Sequence, residues 1–225
     1  SGGATMSHLR FGDQPIRSTY LIDEADYIGC HVQAYVNQYD VLKGLRKGGN
    51  FVLNCIWTEE ELESKLPAKM KRFIAENEIN LYTINATKIA TEIGLGRRIN
   101  MIMQSAFFKL AEIIPEDEAK DYLKASIKKA YGKKGDKVVN MNFEAVERGM
   151  NSLVKINVPA SWKDAEDAEV VETKKVTDFV KNIMNPMNAL EGDKLPVSAF
   201  NGIEDGTFPA GTAAYEKRGI ASEVP

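Results

Sequence analysis

Apolar positions along this chain follow two spacings, and the balance between them shifts along its length. Alternating or continuous short runs predict strands over 5–11, 18–22, 27–31 (YIGCH), 51–57 (FVLNCIW) and 79–84, because side chains two apart share one face of a sheet. Three-and-four spacing predicts a helix over 36–47, with Val36, Tyr39, Leu42 and Leu45 on one face and Gly48-Gly49 as its stop. Thr58 with Glu61 is a capping box that opens the next helix, and Pro67 starts another running to about Glu76. Further helices are expected over 87–93, closed by Gly94 and Gly96, and over 101–113, apolar around most of its circumference and so buried between layers. The last two of this group run from Pro115 to about Tyr131 and over 143–154, where Asn142 is available as the N-cap.

Strand and helix alternate to about residue 98, and helix dominates from 99 to 156. That order predicts an α/β fold: a Rossmann-like layered sheet with flanking helices, followed by a helical segment. After Pro159 the character changes. Residues 165–175 (AEDAEVVETKK) form a charge-rich connector, and 176–190 an amphipathic helix interrupted by Pro186. From Gly192 onward Pro196, Pro209 and Pro225, with Gly202, Gly206, Gly211 and Gly219, punctuate an extended C-terminal arm.

Composition narrows the classes. Across 225 residues, 29 Lys+Arg against 32 Asp+Glu leave a formal charge of −3, which does not suit nucleic acid or an acidic membrane surface. No run approaches the length of a membrane span, and SGGATMSHLR has no basic-then-apolar leader, so a cytoplasmic protein is expected. Cys30 and Cys55 form no CxxC, which argues against a disulfide scaffold or a structural zinc.

Several constellations invite chemistry. GLGRRI at 94–99 has Ile99 where a dinucleotide fingerprint needs its third glycine, and it follows a helix, so a helix stop followed by a helix start is expected. His8 and His31 are placed on strands without ligand-spaced partners; Cys30 and His31, being adjacent, would face opposite sides of a sheet. Structural histidines are the better reading. Lys124, Lys128, Lys129, Lys133, Lys134 and Lys137 make a basic run that either complements a helix C-terminus or attracts a phosphorylated ligand or an acidic electron carrier. Asn100 and Asn142 both fall at predicted helix starts, where unclaimed N–H groups favour an anion; on spacing alone both read as caps.

SHLRFG, IRSTYL, the long segments GLGRRINMIMQSAFFKLA, AYGKKGDKVVNMN and TFPAGTAAYEKRGIA, and the Glu216-Lys217-Arg218 signature resemble the pyruvate:ferredoxin (flavodoxin) oxidoreductase family across essentially the whole chain. The resemblance implies an internal piece of a larger polypeptide. Residues 1–160 would be an N-terminally truncated domain like the separate gamma subunit of related 2-oxoacid oxidoreductases, and 161–225 the EKR linker domain leading to a ferredoxin-like domain.

The family oxidatively decarboxylates pyruvate, with coenzyme A as acetyl acceptor and ferredoxin or flavodoxin as electron acceptor. Thiamine diphosphate with magnesium does the carbon chemistry, and iron–sulfur clusters carry electrons. Two cysteines cannot ligate such a cluster, and Glu204-Asp205-Gly206 is in the wrong context for a thiamine motif, so this chain is expected to bind neither and to be inactive alone. The resemblance implies coenzyme A contacts at Asn100 and Asn142, with a glycine-rich loop and a lysine falling upstream of Ser1. Other domains of the parent polypeptide and a homodimer of the parent are the implied partners. The alternative reading is a purely structural, assembly domain of the same complex.

Overall fold

The computed structural model describes residues 3–12, 14–17, 20–167 and 176–216. They fall into two compact units, one of His8–Asn37 with Val41–Ala168, the other of Ser1–Ser7, Gln38–Asp40 and Glu169–Pro225.

The larger unit is built on a four-stranded sheet, β1 (Ala25–Cys30), β2 (Leu45–Asn54), β3 (Asn80–Ile84) and β4 (Val154–Lys155), in that spatial order. β1, β2 and β3 run parallel, and β4 pairs antiparallel to β3 through Tyr82 with Lys155 and Thr83 with Val154. Alternation along β2 and β3 divides two cores. Phe51, Leu53 and Leu81 face α1 (Glu59–Lys65), α2 (Ala68–Glu76) and Trp162. Val52 and Ile84 face α3 (Ala86–Glu92), α4 (Asn100–Ala111) and α6 (Asp136–Asn151). α5 (Glu116–Tyr131) joins α6 through a third cluster of Ala119, Leu123, Ile127, Val139, Val146 and Met150. Burying a large apolar side chain such as Phe51 or Leu62 contributes roughly 1.5–3 kcal/mol, so the two sheet faces dominate stability.

Local chemistry sets the helix ends. Thr58 Oγ1 accepts from Glu61 N while Glu61 Oε2 accepts from Thr58 N at 2.8 Å, the reciprocal cap expected at α1. α3 ends as expected at GLG: Gly94 and Gly96 have φ of +85° and +62°, and Leu95 N donates back to Ala90 O at 2.7 Å. α4 and α6 cross where Gly149 has no side chain. A Cβ there would stand 2.5 Å from Ile102 O and 2.1 Å from Ser105 Oγ.

The layered α/β architecture, the strands around YIGCH, FVLN and LYTI, and the helices from Thr58 through Tyr131 agree with the sequence reading. Four expectations do not. The helix over 36–47 is absent: a 3-10 turn (Gln33–Asn37) and a further turn precede β2. Gly44 has φ +81°, and a Cβ would lie 2.6 Å from Asp23 O, so the chain breaks there and pairs as a strand. Gly48-Gly49 is therefore part of a bulge; the register jumps from Ala25↔Leu45 to Tyr27↔Asn50. The described residues of 5–11 and 18–22 are not strands; Ser18 and Thr19 lie outside the described residues.

The third correction concerns Asn142. α6 begins at Asp136 after Gly135 (φ +91°), so Asn142 lies within the helix and cannot cap it. Tyr131, Gly132 and Gly135 mark a break that the sequence reading placed about two turns too late, because Val138, Val139 and Met141 already hold the helical spacing.

In the smaller unit, a π-helical turn (Val180–Met184) runs directly into α7 (Asn185–Asn188). Pro186 does not interrupt it. Asn185 N reaches back to Val180 O, and this wider turn accommodates a residue that has no N–H to give. Beyond it the described residues make only 3-10 turns (Gly192–Lys194, Val197–Phe200, Thr212–Tyr215), as an extended arm would, with Phe179 edge-on to Phe208 at 5.0 Å.

Candidate functional site

The chain leaves β2 toward one face of the sheet, into α1, and leaves β3 toward the other, into α3. Adjacent parallel strands whose connections diverge open a crevice at their carboxyl ends, where α/β sheets bind ligands. A cavity of about 320 Å³ lies there, with Cys55 and Trp57 on one wall, Asn85 and Lys88 on the other, and Glu92 and Arg148 at the rim.

Asn54 locks that end of the sheet. Its side chain is buried, accepts from Ala86 N at 2.9 Å, and donates to His31 O at 2.9 Å, joining the ends of all three parallel strands. The sequence reading passed over it. The signal was a lone carboxamide inside FVLNCIW, the most apolar run in the chain, where burial demands hydrogen-bond partners.

The rim is internally neutralised. The Arg148 guanidinium hydrogen-bonds Glu92 and holds its carboxyl below the usual range, with Lys88 3.9 Å away; Arg148 also reaches Glu144. Burial pushes the Cys55 and Cys30 thiols up, so both remain protonated and neither is an activated nucleophile. This crevice is open to solvent, with apolar side chains at Ile56 and Trp57, and its one lining carboxylate, Glu92, is paired with Arg148.

The two singled-out asparagines differ. Asn100 is the first residue of α4, exposed, beside helix N–H groups with no intrahelical partner. Asn142 is 5% exposed on α6, and its Nδ2 donates to Val138 O at 2.8 Å. Their helices pack together, yet one amide faces solvent and the other the helical core.

His8 is a structural histidine, its Nδ1 accepting from Ile22 N at 2.9 Å. His31 is an exposed residue whose imidazole pKa is lowered by partial desolvation of the ring. Most of the basic run is engaged locally: Lys124 pairs with Glu147 at 2.9 Å, Lys128 lies over the Phe143 ring, Lys134 lies over Tyr131, and Lys128 and Lys129 occupy the last turn of α5. Asp205 is satisfied by Thr207, whose N–H and hydroxyl both donate to its carboxylate. Among the described residues no trio of His, Cys, Asp and Glu is gathered as a metal ion would require, and no helix is long and apolar enough to cross a membrane.

A family model described as pyruvate ferredoxin/flavodoxin oxidoreductase matches residues 1–152. The chain belongs to that family. A second model, the EKR domain of unknown function, matches residues 165–221. Among the relatives of this chain, pyruvate-flavodoxin oxidoreductase of Enterobacter agglomerans is 62% identical over the full chain, which spans 19% of that protein. Pyruvate:ferredoxin oxidoreductase of Moorella thermoacetica is 56% identical, again over the full chain and 19% of the relative. Pyruvate dehydrogenase [NADP(+)] of Cryptosporidium parvum is 47% identical over the full chain and 13% of its own length. A solved structure, pyruvate oxidoreductase subunit PORC of Thermotoga maritima, is 17% identical with a TM-score of 0.48, covering 60% of this chain and 66% of that one.

Proposed function

We propose that this oxidoreductase segment binds coenzyme A and holds it for pyruvate chemistry performed elsewhere in a longer polypeptide, without turning over pyruvate by itself. One observation carries the reading: relatives named for flavodoxin, ferredoxin and NADP(+) all match this segment from end to end. A part common to enzymes with three electron acceptors serves the shared half of the reaction, on the pyruvate and acyl-acceptor side. Thiamine diphosphate, magnesium and iron–sulfur clusters belong in this proposal to other parts of the parent, as does docking of ferredoxin or flavodoxin.

Asn100 supplies a carboxamide beside the open N–H groups of α4, suited to a phosphate of the carrier. Asn142 acts differently. One Nδ2–H is given to Val138 O, which leaves the second N–H and the carboxamide oxygen for a ligand, the oxygen as an acceptor for an amide or adenine N–H. Calorimetric titration of coenzyme A into the full-length protein tests this. Asn100→Ala, at an exposed site, should weaken binding by about tenfold, the loss of one charge-assisted hydrogen bond, without moving the melting temperature. Unchanged affinity in Asn100→Ala and in the Asn100→Ala, Asn142→Ala double variant would favour a purely structural, assembly role.

A further inference from the structure

The signature pieces SHLRFG and IRSTYL close on each other. Arg10 donates from Nη1 to Tyr20 O at 2.6 Å and from Nη2 to Leu21 O at 3.0 Å, and His8 Nδ1 accepts from Ile22 N at 2.9 Å. Phe11 clips the excursion to α4, stacking on Phe107 at 5.7 Å and meeting Phe108 edge-on at 6.3 Å. The backbone is thus fixed at its neck with neither strand nor helix among its described residues.

Beside exposed His8, Gln14 and Arg17, this clasp holds four large apolar side chains outward. Leu9 is 66% exposed, Ile16 51%, Tyr20 78% and Leu21 69%. Single exposed apolar residues need no explanation, but four on one pinned excursion make a patch of the kind that marks an interaction surface. Pinning matters because a backbone ordered in advance loses little entropy on docking.

We infer that Leu9, Ile16, Tyr20 and Leu21 form the docking surface for an apolar face of another part of the same polypeptide chain, outside these 225 residues. Two observations select that occupant. The segment spans 19% of its relatives' length, so most of such a chain lies elsewhere. Four side chains are also far fewer than the roughly 20–30 residues a side of a free-standing interface, whereas a tethered neighbour is present at an effective concentration on the order of millimolar. The clasp gives the histidine and the arginine of SHLRFG a structural part: they shape the surface.

The test uses the full-length protein and does not depend on coenzyme A. Hydroxyl-radical labelling of Tyr20 and Leu21 should fall to about a tenth of the rate in the denatured protein, as in a water-excluded contact. Photolysis of Tyr20→p-benzoylphenylalanine should give a cross-link within one chain to a peptide outside residues 1–225. Labelling near the denatured rate would overturn the proposal. So would a cross-link doubling the mass, a cross-link confined to residues 1–225, or protection without any cross-linked peptide.

Discussion

Gly149→Ala gives the sharpest test of how α4 and α6 are held. An alanine should favour the helix by about 1 kcal/mol over glycine, so on propensity alone the change stabilises. The crossing reverses the sign. The new Cβ would lie 2.5 Å from Ile102 O and 3.0 Å from Ile102 Cα, both backbone atoms that cannot rotate away. Restoring ordinary contact moves the helices apart by about 1 Å, which forfeits a quarter to a half of the dispersion along the seam. Overpacking of this kind costs about 3 kcal/mol at the upper end of its usual range, leaving a net loss of about 2 kcal/mol. Trp57 and Trp162, the chain's two tryptophans, both lie in the larger unit and report its unfolding. At a slope of about 2 kcal/mol per molar urea, the midpoint should fall by about 1 M. Adding Ser105→Ala removes the 2.1 Å clash with Oγ but not the backbone one, so it should recover only part of the loss. A midpoint equal to or above that of the parent would refute the reasoning. Since α4 carries Asn100 and α6 carries Asn142, coenzyme A affinity should fall in the same variant.

Asn54→Ala should destabilise by about 3 kcal/mol, because Ala86 N is left buried without an acceptor while His31 O can turn to water; a loss below about 1 kcal/mol in urea titration would contradict the three-strand tie. Glu63 provides a pH dependence. Hydrogen bonds from Lys71 first, then from Trp162, hold its carboxyl below the ordinary 4.5. A depressed folded-state pKa contributes stability that is present above 4.5 and lost as the pH falls through the folded value. Glu63 is largely exposed, so solvent screens the effect; the check is that Glu63→Gln flattens the acid limb of the Trp162 fluorescence profile while the neutral limb shifts little.

Where sequence and structure agree, local chemistry acts alone: Thr58 with Glu61, Pro67, and the glycines closing α3 each fix an end without distant help. Where they part, a remote partner decides. Leu45 has helical spacing with Val36 and Leu42, but Gly44 must pass against Asp23 O, and that neighbour is visible only in three dimensions. The excursion from His8 to Ile22 alternates like strands, yet Arg10 and His8 supply bonds that a sheet would have supplied. Asn100 and Asn142 were both singled out at expected helix starts and given a ligand role by the family resemblance; Asn100 does begin α4, Asn142 falls inside α6, and Asn54, beside the crevice, was legible as a polar residue in an apolar run.

Trp162 is fully buried against α1 and α2, its indole N–H donated to Glu63, and the next few residues are held by Arg72 through Ala165 O and Asp167. During synthesis, then, Leu62 and Ile74 emerge from the ribosome long before the residue that roofs them, and the nascent chain shows an oily groove until that residue arrives. Any gene division meant to release the larger unit intact has to fall beyond Asp167.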